Sequence, residues 1–210
     1  MNMNNVIEID GSFGEGGGQI LRTSMALSLV TGKPFHINNI WEGRRKPGLL
    51  HQHLTAVNAA ATISRAELQG NDIGSQELYF APNKVKFGQY YFAVGTAGSC
   101  TLVLLTVLSA LTTADAGSEL ILEGGTHNPY APPFDFLDKA FLPILNRMGP
   151  RISTKLERPG FYPAGGGKFV ALIEPAKKLS QIDLLDRGHI KKNKRGLLWP
   201  DSHAVSLNVN

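Results

Sequence analysis

An α/β protein built from two successive βαβαββ units is what the order of apolar segments predicts. Three observations carry that expectation. Short apolar runs of strand length alternate with longer runs whose apolar residues recur every three or four positions. The same element order occurs twice, displaced by about 84 residues on the periodicity reading. Each unit also opens with a glycine-rich turn between its first strand and its first helix.

In the first unit the spacing predicts a strand over Val6–Asp10 and a helix over Gln19–Thr31. A strand over Phe35–Ile40 and a helix over Leu49–Ser64 follow, then strands Ala66–Gln69 and Glu77–Ala81. Leu50, Leu54, Val57 and Ala61 fall along one face of that second helix. The second unit is predicted as strand Tyr90–Val94, helix Ser99–Thr113, strand Glu119–Glu123, helix Phe134–Met148, and strands Ile152–Leu156 and Lys168–Ile173. The units thus cover about 6–84 and 90–175. Residues 189–210 fit neither unit: a basic run, His189 to Arg195, precedes a stretch without either period, as in a solvated arm.

Composition narrows the class. The chain of 210 residues is 42% hydrophobic, enough for a core, and carries 21 basic against 17 acidic residues. The resulting +4 and pI near 9.2 lean toward a polyanionic partner. Cys100 is the single cysteine, so no disulfide framework is expected. Met1–Asn5 lacks an apolar signal core, and the longest apolar run, Leu102–Leu111, is too short to span a bilayer. A cytoplasmic protein with no membrane partner is the expectation, its oligomeric state left open.

Candidate chemistry sits on the turns. Gly14-Glu15-Gly16-Gly17-Gly18 leads into a helix, where free N–H groups favour an anion, and Arg22 follows one turn later with a planar fork of donors. Glu15 beside such a site suggests a metal ion or a basic neighbour. The loop is neither a Walker A sequence nor a dinucleotide fingerprint, and a tight turn without ligand is the plain alternative. Arg44, Arg45 and Lys46 are displayed on a short loop closed by Pro47 and Gly48, which suits either a phosphate backbone or bulk water. His51 and His53, two apart on a helix, point to different faces, which argues against a metal held by that pair. His127 and Asn128 could touch a nucleotide or merely brace their turn, and Phe161 and Tyr162 could stack on a base or close a hairpin.

These segments, in this order, resemble the RNA 3′-terminal phosphate cyclases. The resemblance rests on Asp10-Gly11 with Gly14–Arg22, Lys46–Leu50 with Gln52-His53-Leu54, Gly95 with Ala97–Leu104, Gly124-Gly125-Thr126 with Asn128-Pro129 and Ala131-Pro132-Pro133, and Gly160–Gly167. It runs from about Ile7 to Gly188 and implies three βαβαββ repeats, similar to those of enolpyruvyl transferases, with a smaller domain inserted before the last. Residues 1–188 would be the first two repeats of the large domain. The implied activity uses ATP and a divalent metal, Mg or Mn, to turn an RNA 3′-phosphate into a 2′,3′-cyclic phosphate. A histidine is adenylated, AMP passes to the RNA end, and the 2′-hydroxyl displaces it, an AMP-forming ligase chemistry. The resemblance implies RNA 3′-phosphate ends as partner, with no DNA expected.

Carried over by position, Arg22, Arg44, Gln52 and His53 would hold phosphates. Glu15, Gly16 and Gly17 would lie at the nucleotide, with Glu15 at the metal, and Pro132 and Phe136 on the adenine side. Three departures stand out. Leu105 occupies a position where the family commonly has a nucleotide-touching glutamine, and Trp41 one where it often has an arginine. The nucleophilic histidine belongs to the family's last repeat, and no histidine here occupies its place. An inactive copy is therefore expected, unable to form the covalent adenylate and prone to self-association. A frameshift between Gly188 and Trp199 would account for the tail, because the shifted reading of Trp199–Asn210 can spell A-G-L-P-R-x-V-A-E-R-E, which resembles the start of the inserted domain. A non-catalytic, cyclase-like RNA-binding protein is the alternative; an enolpyruvyl transferase shares the topology but not these motifs.

Overall fold

The computed structural model describes residues 6–13, 18–43 and 46–185. The first unit comprises strand β1 (Ile7–Asp10), helix α1 (Gly18–Thr31), β2 (Phe35–Asn38), α2 (His51–Ser64), β3 (Glu67–Gln69) and β4 (Leu78–Ala81). The second comprises β5 (Gln89–Ala93), α3 (Cys100–Leu111), β6 (Ser118–Gly124), a composite helix α4, β7 (Arg151–Arg158) and β8 (Gly167–Glu174). Each unit forms a four-stranded mixed sheet with one shared order, β1-β2-β4-β3 and β5-β6-β8-β7. In both, the first two strands run parallel and the remaining pairings are antiparallel. The two expected βαβαββ units are present, with boundaries shifted by a few residues.

The apolar spacing is explained by what each helix touches. Leu21, Met25 and Leu29 recur every four residues on α1 and are buried. Helix α3 packs against both α1 and α2 as well as its own sheet. It therefore has almost no polar face, and only Leu105 and Ser109 escape burial. Phe35 and Phe80 stack across β2 and β4 at 5.6 Å, and Phe169, Leu120 and Leu122 close the second sheet onto one core shared by both units.

The predicted helix Phe134–Met148 is not regular. Helix α4 consists of Phe134–Phe136, a π-helical segment Leu137–Phe141, and Leu142–Asn146. The cause lies in the sequence: Pro143 has no N–H to donate, and its ring crowds the preceding turn of a regular helix. A widened turn before it relieves both problems while keeping Leu137 and Leu142 buried. Among the described residues no helix is long and apolar enough to cross a membrane.

Candidate functional site

The polar turns of each unit leave the C-terminal ends of its parallel strands, β1 and β2 or β5 and β6, so they gather on one edge. In the second unit these two turns interlock through backbone with each other and with the β7–β8 connection. Gly125 N–H donates to the Gly98 carbonyl at 2.8 Å, and Cys100 N–H donates to that of Gly125 at 3.0 Å. Thr126 and His127 N–H groups both donate to Gly160 O. Side chains are excluded from this junction. A Cβ on Gly125 would lie 2.4 Å from Ala97 O, and one on Gly160 would lie 2.3 Å from Gly167 N.

His127 is consumed by this scaffold. Its Nε2–H donates to Asp135 at 2.9 Å, its Nδ1 lies 2.8 Å from the Thr126 hydroxyl, and its ring stacks on Phe161 at 5.1 Å. His127 and then Lys139 hold the Asp135 carboxyl below the usual carboxylate range by hydrogen bonding to it. His127 braces its turn. Asn128 Nδ2 donates to the Ala97 carbonyl, which fixes the amide's orientation. Its Oδ1 is then buried with no partner among the described residues. Pro132 is held by its carbonyl, which accepts from Thr101 Oγ1 at 2.8 Å, whereas Phe136 is half exposed on α4.

The first unit supplies the cationic part. His53 is buried, and its Nδ1 accepts from Leu50 N–H at 3.1 Å. In the neutral ring the proton therefore sits on Nε2, which faces Gly18. The Trp41 ring meets His53 edge-on, with centroids 3.9 Å apart. That contact is a role for Trp41 which its reading as a lost arginine missed. Arg22 also closes on Gly18: a Cβ there would lie 2.7 Å from Arg22 Nη1 and 3.0 Å from His53 Nε2. Arg22 is half-buried, burial lowers its pKa from the usual guanidinium value, and it has no carboxylate partner among the described residues. Among the described residues its one polar contact is long, 3.4 Å, to Gln19 Oε1.

Gln52 joins the units. Its Oε1 accepts from Ser99 N–H at 2.8 Å, across 47 positions of sequence, and its Nε2 hydrogens have no acceptor among the described residues. The start of α3 is thereby satisfied by protein: Ser99 and Cys100 N–H are taken by Gln52 and Gly125, and Leu102 N–H by the Ser99 hydroxyl. These groups are therefore not available to an anion; the turn for which the sequence suggests one is Gly14–Gly18, of which 14–17 lie outside the described residues. Leu105 lines a groove with Arg22 and Leu102 between α1 and α3, of about 430 Å³.

Of the residues singled out in the sequence, Arg22 and His53 come together at Gly18, and Gln52 opens onto the neighbouring turn. Pro132 and Phe136 lie on the second unit, and Leu105 lies in the α1–α3 groove beside Arg22. Glu15, Gly16, Gly17 and Arg44 lie outside the described residues, as does the tail from 186 onward. No group of three or more His, Cys, Asp or Glu suited to a metal occurs among the described residues. The donor set that is present, a half-buried guanidinium, an imidazole N–H and a carboxamide NH₂, fits the oxygens of a phosphate group.

The sequence model of the family described as RNA 3′-terminal phosphate cyclase matches residues 13–207, past Gly188 where the motif resemblance stops. The RNA 3′-terminal phosphate cyclase of Koribacter versatilis is 60% identical over 186 residues, covering 89% of this chain and 52% of that protein. The protein of that name from Ralstonia nicotianae is 56% identical, covering 89% and 54%, and the one from Salmonella agona is 50% identical, covering 90% and 55%. A solved EPSP synthase from Acinetobacter baumannii covers 82% of this chain and 48% of its own at 10% identity and a TM-score of 0.36, too weak a likeness to carry weight. The chain thus spans about half the length of the curated relatives it matches. It belongs to the RNA 3′-terminal phosphate cyclase family.

Proposed function

We propose that this chain carries the phosphate-gripping half of an enzyme that uses ATP to convert an RNA 3′-phosphate into a 2′,3′-cyclic phosphate, through enzyme-AMP and RNA-AMP intermediates. The carrying observation is Arg22, a half-buried cation with no carboxylate partner among the described residues, beside the proton-bearing Nε2 of His53. A guanidinium in that position is completed by an anion, and a phosphate oxygen makes a charge-assisted hydrogen bond there worth about 1.5–3 kcal/mol. Gln52 adds a neutral donor, and Arg44 a second cation by position. Glu15 would hold the divalent metal, which supplies charge neutralisation on the phosphates, and Pro132 and Phe136 would face adenine. Sites of this kind act by positioning and by stabilising charge at phosphorus.

His53 is a donor in this scheme and not the nucleophile. A ring nitrogen that carries its proton can bind a phosphate but has no lone pair with which to attack one. His36 is engaged by Glu8 at 2.9 Å and His127 by Asp135. We infer that these residues bind ATP and the RNA end without forming a covalent adenylate by themselves. The second reading, an RNA-binding protein without catalysis, is favoured by Leu105, which puts an apolar side chain in the groove beside Arg22.

Equilibrium binding separates the two. The enzyme reading expects ATP to bind in the presence of Mg²⁺ or Mn²⁺, and an RNA ending in 3′-phosphate to bind about tenfold or more tightly than the same RNA ending in 3′-hydroxyl. Arg22→Gln should abolish that preference. Equal affinity for the two ends, unchanged by Arg22→Gln, refutes the phosphate reading, and a stable protein–AMP adduct refutes the inference about adenylation.

A further inference from the structure

Beyond Gln52 the edge opens into a cleft of about 630 Å³ between the two units, walled by Thr96, Asn128, Tyr130 and Tyr162. Its aromatic side chains have no packing duty. Tyr130 is fully exposed and Tyr162 is 71% exposed, so neither ring is held by the core. Tyr130 also sits at φ 63°, a left-handed conformation that a bulky residue adopts at a cost. Neither burial nor hydrogen bonding within the described residues accounts for an aromatic ring at that spot. Asn128 on the same cleft is fixed by its hydrogen bond to the Ala97 carbonyl, and its Oδ1 is turned in toward Gly125, with no donor among the described residues.

We propose that this cleft is a nucleobase subsite, taking the unstacked base of the RNA's 3′-terminal nucleotide against Tyr162 and Tyr130. The assignment rests on the phosphate reading of Arg22, Gln52 and His53 above and adds the part of the RNA end that reading leaves unplaced. One ribose links a 3′-phosphate to its own base. A phosphate at Gln52 Nε2 brings that base within one ribose of the adjoining Thr96–Gly98 turn, which lines the same cleft. The cleft is open to solvent, so the chain on the 5′ side has a way out. Every base has a π face, so stacking here tolerates all four ends and favours purines by their larger area.

The test uses the full chain and short RNAs ending in 3′-phosphate, with 2-aminopurine, uracil or an abasic ribose as the last unit. Terminal 2-aminopurine should be quenched on binding, and the abasic end should bind about five- to a hundredfold more weakly. Tyr162→Ala should abolish the quenching and bring the base-bearing end down to the affinity of the abasic one, Tyr162→Phe should restore both, and Tyr130→Ala should give a smaller loss. Thermal denaturation of each variant reports whether the fold is kept. If the abasic end binds as tightly as the others, and 3′-phosphate is still preferred over 3′-hydroxyl, the subsite is refuted while the phosphate reading stands. If that preference is itself absent, both fall. If Tyr162→Ala weakens ATP and spares the RNA, the cleft takes the base of the free nucleotide and the RNA assignment is wrong.

Discussion

Gly18→Ala sets helix propensity against packing, and the structure decides the sign. Alanine in a helix interior is favoured over glycine by about 1 kcal/mol, less in a first turn such as this. Against that, the new methyl would stand 2.7 Å from Arg22 Nη1 and 3.0 Å from both Cδ2 and Nε2 of His53. Unstrained contacts between heavy atoms lie near 3.5–4.0 Å. Arg22 ends a flexible stem and can swing clear. His53 cannot: it is 5% exposed, fixed by Leu50 N–H and backed by the Trp41 ring. Overpacking of this kind costs about 1–3 kcal/mol, and a tilted His53 also gives up its bond from Leu50, about 1 kcal/mol more. The expected net is a loss of about 1–3 kcal/mol. It should show in urea as a lower midpoint at unchanged slope, together with weaker ATP binding because Arg22 has been displaced. Gly43→Ala is the control, since nothing among the described residues lies within 4 Å of its added Cβ. Equal or higher stability of Gly18→Ala with intact binding would show that His53 and Arg22 do not close on this glycine as the distances say.

Two further perturbations read the neighbouring groups. Gln52→Glu keeps an acceptor for Ser99 N–H and replaces the NH₂ by an anionic oxygen. Stability should change little while affinity for the 3′-phosphate falls about tenfold or more; unchanged affinity would remove Gln52 from the phosphate set. Cys100 is fully buried, donates its S–H to Gly125 O at 3.2 Å, and burial pushes its thiol from 9.0 up to about 12. The native thiol should resist alkylating reagents at pH 8 and react once the chain is unfolded. Because its folded pKa lies above the unfolded value, the native state keeps a proton that the unfolded state sheds. Stability should therefore fall above pH 9, by up to about 1.4 kcal/mol per pH unit, and Cys100→Ala should lack that component. Rapid alkylation of the folded protein would contradict the burial.

The fold was largely legible because its signals are local. Four-residue spacing such as Leu21, Met25 and Leu29 marks a helix wherever it occurs, and the repeated order of elements fixes two similar sheets. The two-residue offset of His51 and His53 also gave the right answer: His53 is buried against Gly18 while His51 stays exposed. What escaped was long-range. Nothing in the period of α2 says that Gln52 will meet a backbone N–H 47 residues on. Trp41 read as a missing charge, because the contact that explains it is with a ring twelve residues away in another element. Pro143 was visible, but its consequence was not. A proline in a helical stretch can break, kink or widen the helix, and the buried positions of Leu137 and Leu142 select the third.

The first turn of α2 is where the two halves of the site become one. Gln52 and His53 are consecutive, so their side chains leave the helix about 100° apart. One direction leads back to Gly18 and Arg22 of the first unit, the other forward to Ser99 and the aromatic cleft of the second. The helix start thus carries two adjacent donors, and both are oriented from behind. Leu50 N–H occupies His53 Nδ1 and so directs its proton through Nε2, while Ser99 N–H occupies Gln52 Oε1 and so leaves only Nε2 to face a ligand. Each constraint comes from backbone, which a side-chain substitution elsewhere cannot readily withdraw. A ligand whose phosphate meets Arg22, His53 and Gln52 and whose base enters the cleft beyond Gln52 would bridge the two units, which a terminal nucleotide can do and inorganic phosphate cannot.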